Sequence, residues 1–397
     1  MDVRVLRWLL AYHGPMLETV SPETVERRYE RLHPAELAAL VAAAPIAWVP
    51  IGTLEHHGPH LPFGVDAFEA HGLLLEAAAR AGGVVLPPTY VASGCLEMDF
   101  TLSFTRELVE AQVRETVALL ARRGLRVVVV LTGHGPLDLV HLLKRVCAEA
   151  TATQPQLRAY GLCWLELNAA AMTGPEEGEP RVVDHAALVE TSWMLALQPD
   201  LVRLDRLADD PEAAHAGVYG RNPRFTASRE WGRESVDAAA ALLAQRATGL
   251  LAGEPLDDLA DLRRFVACSW PEPLELSGAE PAGAQTGLGL HNPGRASRYL
   301  SALEVEIDGV AVDPAQVVAT NSSPGETGEP IAAAQLGNES GFYVRRGQTA
   351  TLVIPALPAG EHDVRIAVGL AGVDRLVVGR RLAVGSAPVP AHSSANR

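Results

Sequence analysis

Four consecutive valines in RVVVVLTGHG (126–135) place the tightest limit on what this chain can fold into. A strand that is apolar at every position, rather than at every second one, has both faces covered. Its neighbours in sequence supply the cover. TRELVEAQVRETVALLARRG (105–124) carries apolar residues at helical spacing and stops at a glycine, and a second helical pattern runs from the Val-rich strand to about Ala150. IAWVPIG (46–52) is a further strand followed by a helical pattern from Asp66 to about Ala81; VVLPP (84–88) is short and extended, and LRAYGLCWLEL (157–167) is a strand candidate. Strands alternating with helices predict an α/β fold: three αβα layers around a mostly parallel sheet.

The pattern changes near residue 265. Residues 1–264 form the α/β domain, 265–297 are rich in Pro, Gly and Ala and are expected to be a linker, and 298–388 alternate apolar and polar residues between turn signals. The last of these predicts an all-β, sandwich-like domain, with 389–397 as a disordered tail. Arg4 and Arg7 interrupt the apolar N-terminus and no small-residue cleavage site follows, so it is expected to be mature chain. No run approaches the ~18 apolar residues of a membrane helix. The formal net charge of −15, without a Lys/Arg cluster, argues against nucleic acid as a partner. Cys95, Cys147, Cys163 and Cys268 form no C-x-x-C pair, which removes zinc knuckles and disulfide frameworks and points to a reducing, cytoplasmic location.

The chemistry concentrates at two strand ends. His56, His57 and His60 lie in GTLEHHGPHLPFGVD after the first strand, and His134 follows the Val-rich strand. Ligands of open parallel sheets bind beyond the carboxyl ends of strands. Glu55 and His57, two apart, point the same way in extended chain, and Asp66 opens a helix whose dipole favours a carboxylate. An aspartate at a helix start is ordinarily a cap, and a lone histidine after a strand is ordinarily a packing residue, as His71, His141 and His215 are taken to be. The combination Glu-x-His, Asp and a second strand-end His is better matched to a divalent-metal site.

These segments resemble the creatininase (creatinine amidohydrolase) family. GTLEHHGPHLPFGVD is similar to its G-S-x-E-Q-H-G-P-H-L-P-x-x-x-D signature, LTGHG to its N-G-H-G-G-N, HAALVETSWMLALQPDLV (185–202) to its H-A-G-x-x-E-T-S motif, and GVYGRNPRFTASREWG (217–232) to a later segment, in family order. The resemblance implies a hydrolase with two divalent ions (Zn, Mn or Fe) acting on an amide C–N bond. It implies Glu55 and His134 on one ion, His57 on the other and Asp66 between them. In creatininase proper a glutamate lies two residues after the strand-end histidine, where this chain has Pro136; Glu190 is the natural substitute. His185 matches the catalytic histidine and would protonate the leaving amine, and Trp164 would wall the substrate pocket, although a structural role is equally open to it. A homo-oligomer, commonly a hexamer, also follows from the resemblance.

The departures narrow the substrate. Thr132 replaces Asn, Pro136–Leu137 replace Gly-Asn, and SGCLEMDFTLSF (93–104) has Met98 or Asp99 where a histidine is common. Creatinine itself is therefore not expected, and a small cyclic or linear amide is. Two alternatives stand beside this reading: a peptidase trimming a modified precursor peptide, and a non-catalytic or weakly active accessory subunit. In the second, the β domain would bind a partner protein or a carbohydrate.

Overall fold

The computed structural model describes residues 25–171, 184–269, 274–282, 285–292, 298–323, 326–327, 330–344 and 348–384. The N-terminal stretch and the expected tail lie outside them.

The first unit runs α1 (Pro34–Ala43), β1 (Ile46–Ile51), α2 (Val65–Ala81), β2 (Val84–Val85), α3 (Arg106–Arg122), β3 (Val127–Thr132), α4 (Leu137–Thr153), β4 (Arg158–Cys163), α5 (Trp164–Ala171), α6 (Leu188–Leu197), α7 (Arg229–Ala252) and α8 (Ala260–Ser269). Its four strands make one parallel sheet in the order β2-β1-β3-β4. The valine run explains the layering. Val127, Val129 and Leu131 join a cluster with α2 and α7 residues such as Leu73, Leu74, Val236 and Leu243. Val128 and Val130 turn to the other face, against Val109, Val113 and Val117 of α3 and Leu142 and Leu143 of α4. Both faces are covered, and each buried valine contributes about 2 kcal/mol relative to exposure. Thr105 starts α3 as its N-cap, accepting from the Leu108 amide.

The second unit is all antiparallel: β5 (Glu275–Ala282), β6 (Gln285–His291), β7 (Arg298–Ile307), β8 (Val310–Ala311), β9 (Val318–Ser323), β10 (Glu326–Thr327), β11 (Ile331–Ala332), β12 (Phe342–Val344), β13 (Thr349–Pro355), β14 (Gly360–Leu370) and β15 (Asp374–Val384). One sheet is ordered β10-β9-β13-β6-β5 with β11 also on β9, the other β12-β7-β14-β15 with β8 on β7. Leu288, Leu352 and Ile354 of the first sheet share an apolar cluster with Leu303, Val305, Ile366 and Val368 of the second. The two sheets therefore form a sandwich-like unit.

Two expectations need correction. The segment 265–297 is not simply a linker: α8 continues to Ser269, and β5 (Glu275–Ala282) and β6 (Gln285–His291) follow. Its composition hid them, because Gly, Pro and Ala are poor strand formers and pairing with β13 decides the matter instead. The expected strand 157–167 ends at Cys163, where the Glu166 carboxylate accepts from the Cys163 amide (2.8 Å) and the chain turns into α5.

The β unit meets the α/β unit close to the end of β3. Tyr343 Oη accepts from the Leu137 amide (2.8 Å), His141 Nε2 donates to Ala371 O (2.6 Å), and Arg106 and Arg145 both pair with Glu339.

Candidate metal centre

Parallel register sets the first distances. Ile51 of β1 is level with Thr132 of β3, so the loops carrying Glu55 with His57 and carrying His134 leave the sheet side by side. Helix α2 brings the third group. A Cβ on Gly133 would stand 1.9 Å from the Asp66 carbonyl oxygen, so only glycine lets the first turn of α2 lie against the turn after β3. Thr132 closes that turn, its hydroxyl donating to His134 O (2.9 Å) and accepting from His134 N (3.0 Å). The fourth approach comes from the start of α6. Asp184 accepts from the Val189 amide (2.6 Å), and Ala186 takes a left-handed φ of 53° that L-residues seldom adopt. Glu190 is thereby turned inward.

The structure brings Glu55, His57, Asp66, His134 and Glu190 into one buried pocket. His134 Nδ1 lies 3.1 Å from Glu55 Oε2 and 3.4 Å from Asp66 Oδ2. His57 Nε2 lies 3.2 Å from Asp66 Oδ1 and 3.4 Å from Glu190 Oε2. Asp66 thus offers one oxygen to each half. His57 Nδ1 donates to Glu55 O (3.0 Å), which orients the ring and makes Nε2 the nitrogen facing the carboxylates. His57 Nε2 and Asp66 Oδ2 are buried without a hydrogen-bond partner among the described residues. Glu55 with Cys95 and His134, Glu55 with His57 and His185, and His57 with Asp66 and Glu190 each place their donor atoms within 4.8 Å of one another, and with unpartnered buried atoms aimed inward they fit divalent cations. The carboxylates are themselves held: Leu96 N donates to Glu55 Oε1 (2.5 Å) and Ala186 N to Glu190 Oε2 (2.5 Å).

Without cations, protons carry the balancing charge. Burial would lower the His57 pKa, but Asp66 and Glu190 overturn this and raise it to about 10. His134 is likewise raised, Glu55 outweighing burial. Burial favours a neutral Asp66, yet the facing His57 holds its pKa below the usual carboxylate range. Burial pushes Glu190 up to about 8.

His185 stands beside the pocket, its ring 4.3 Å from that of His57 and its Nδ1 3.9 Å from Glu190 Oε2. A carbonyl only accepts, so the 2.9 Å contact with His56 O makes Nε2 the protonated nitrogen and leaves Nδ1 as the acceptor. Burial, with His57 nearby, lowers its pKa to about 4.

Of the two roles open to Trp164, its placement matches the structural one. It is fully buried, packs on Trp193 at 4.6 Å and donates Nε1–H to Gly133 O (2.7 Å). A side chain with no exposed surface braces the His134 turn rather than walling an open pocket. The other clustered histidines stay out of the donor sets: His56 stands edge-on to Phe63, and His60 Nε2 contacts Thr191 Oγ1 (2.9 Å).

Two site residues escaped the sequence. Glu69, one turn after Asp66, is fully buried with both carboxylate oxygens unpartnered, and burial together with Glu190 and Asp66 raises its pKa well above normal. Its i, i+3 spacing from Asp66 was the available signal. Cys95 shares a donor group with Glu55 and His134; nothing in its spacing marked it.

A parallel α/β sheet with acidic and imidazole side chains gathered at the strand ends defines a candidate divalent-cation site. The creatinine amidohydrolase family model matches residues 30–247, just over half of the chain, and the chain belongs to this creatininase family. It is 28% identical over 193 residues to creatinine amidohydrolase from Pseudomonas putida, spanning 45% of this chain and 74% of that protein. It is 27% identical over 166 residues to 3-dehydro-scyllo-inosose hydrolase from Thermotoga maritima, spanning 41% and 53%. Among solved structures, a crystal structure of creatinine amidohydrolase covers 56% of this chain and 97% of its own, at 24% identity and a TM-score of 0.48. A creatininase described with Mn covers 57% and 99%, also at 24% and 0.48. The β unit lies beyond the matched range. Among the described residues, no helix is long and apolar enough to cross a membrane.

Proposed function

We propose that this chain is a metal-dependent amidohydrolase that cleaves the C–N bond of a small cyclic or linear amide, with two divalent ions (Zn, Mn or Fe) in the pocket. The observation that carries the reading is the division of Asp66, whose Oδ1 faces His57 and Oδ2 faces His134, each half having a further carboxylate. Three carboxylates and two neutral imidazoles would leave two divalent ions with a net charge of about +1, which suits binding and activating an anionic nucleophile. Such ions would polarise the amide carbonyl and make water nucleophilic near neutral pH.

The chain's own groups do the rest. Glu55 O accepts from His57 Nδ1 and so turns Nε2 to the pocket as the nitrogen that would hold a cation, and the Leu96 and Ala186 amides hold Glu55 and Glu190 in place. His185, neutral with Nδ1 open, accepts a proton as the nucleophile forms and returns it to the leaving nitrogen. Removing it lowers turnover by about 10²–10⁴-fold.

Hydrolysis in ¹⁸O-labelled water of a panel of lactams, formamides and linear amides tests this reading. The expected result is one amino group freed per C–N bond cleaved, with one solvent oxygen in the carboxylate product, suppressed in His185→Gln. No amino group freed from any member by the metal-loaded protein would contradict it.

A further inference from the structure

The two halves of the pocket are not equally furnished. Around His57 stand Asp66 and Glu190. Around His134 stand Glu55 and Asp66, and the position two residues on, Pro136, has no donor to offer. At that half the sulfur of Cys95 comes within reach: a carboxylate oxygen of Glu55, a ring nitrogen of His134 and Cys95 Sγ all lie within 4.8 Å of one another. Asp66 Oδ2, buried and unpartnered, lies 3.4 Å from the same His134 Nδ1.

From these contacts, and resting on the metal-centre reading of the pocket, we propose that Cys95 is a thiolate ligand of the ion held by Glu55, Asp66 and His134. The site would then have one nitrogen, two oxygen and one sulfur donors, while the His57 half keeps nitrogen and oxygen only.

The local chain is shaped for this. Gly94 has a φ of +79°, and a Cβ there would stand 3.1 Å from Pro136 Cβ. The loop before Cys95 therefore seats directly on the residue that takes the missing donor's place. Thr53 Oγ1 lies 3.4 Å from Cys95 Sγ, and the next amide, Leu96 N, holds the spare oxygen of Glu55. One short segment thus positions a carboxylate ligand and presents a sulfur beside it. Cys147 and Cys163 are buried and belong to no donor group among the described residues.

Thiolate ligation has a consequence for metal choice. Soft sulfur donors favour Zn and Fe, whereas Mn prefers oxygen. The His134 half is then expected to hold Zn against Mn, and the His57 half to exchange more readily.

Zinc K-edge X-ray absorption on the zinc-loaded full chain, with ion counting in the same samples, decides the matter. The expected spectrum has a sulfur scatterer at about 2.3 Å, retained in Cys163→Ala and lost in Cys95→Ser and Cys95→Asp. The aspartate variant keeps a donor and so separates loss of sulfur from loss of the site. One ion should be held about tenfold more weakly in Cys95→Ser, the scale on which metal sites respond to lost support. Two ions bound with nitrogen and oxygen neighbours only would overturn the Cys95 assignment while leaving the metal centre standing. A sulfur signal that survives in Cys95→Ser would also overturn it, and failure to bind any ion would remove both.

Discussion

His57 has its Nδ1 proton committed to the Glu55 carbonyl and its Nε2 held 3.2 Å from Asp66 and 3.4 Å from Glu190. In the metal-free protein these carboxylates raise its pKa from 6.5 to about 10. The stabilisation this represents is fully present below pH 6.5 and is lost as pH rises through about 10. A cation needs the same nitrogen unprotonated, as it does His134, whose pKa is also raised. Loading the metal-free protein at pH 7 is therefore expected to release at least about two protons per chain, measured with an indicator in weak buffer; release of none would contradict this electrostatic picture. Glu55, His57, Asp66 and His134 were legible because each sits at a strand end or helix start that sequence patterning locates. Glu190 needed the family motif, because a helical glutamate is ordinarily exposed. Cys95 was not legible, and Glu69 only through its spacing from Asp66. The first lies in an irregular segment without spacing, and the second is polar on a helix face that only the fold shows to be inward.

At the scale of elements, the site exists because β1 and β3 end level and α2 crosses closely above them. Gly133→Ala tests that crossing: its methyl would overlap the Asp66 carbonyl, a backbone atom that cannot swing aside. The variant is expected to lose about 1–3 kcal/mol in urea unfolding and to bind metal poorly, whereas unchanged stability would show that the crossing is looser. The αβα layers were readable from the valine run, since continuous burial leaves few other architectures. Strands β5 and β6 were not, because long-range pairing with β13, rather than local propensity, makes them. The same holds at residues 164–167, where an apolar run fits strand or helix and the Glu166 cap decides.

Across the whole molecule, the β unit reaches the centre through Tyr343, whose hydroxyl accepts from Leu137 N three residues beyond His134. Tyr343→Phe would leave that amide unpaired, at a cost of about 1–3 kcal/mol. Thermal unfolding should show the loss, together with weaker metal retention; retention equal to the parent would mean that the β unit does not brace the turn. Its contacts through His141, Arg106 and Arg145 are independent of this one. Whether two cations share Asp66 is read out by counting ions per chain by mass spectrometry after reloading and gel filtration of the parent and of a folded Asp66→Ala. Two ions per chain are expected in the parent and essentially none in the variant, with amide hydrolysis falling in step. A parent that retains no ion, or a variant that keeps both, would contradict this sharing.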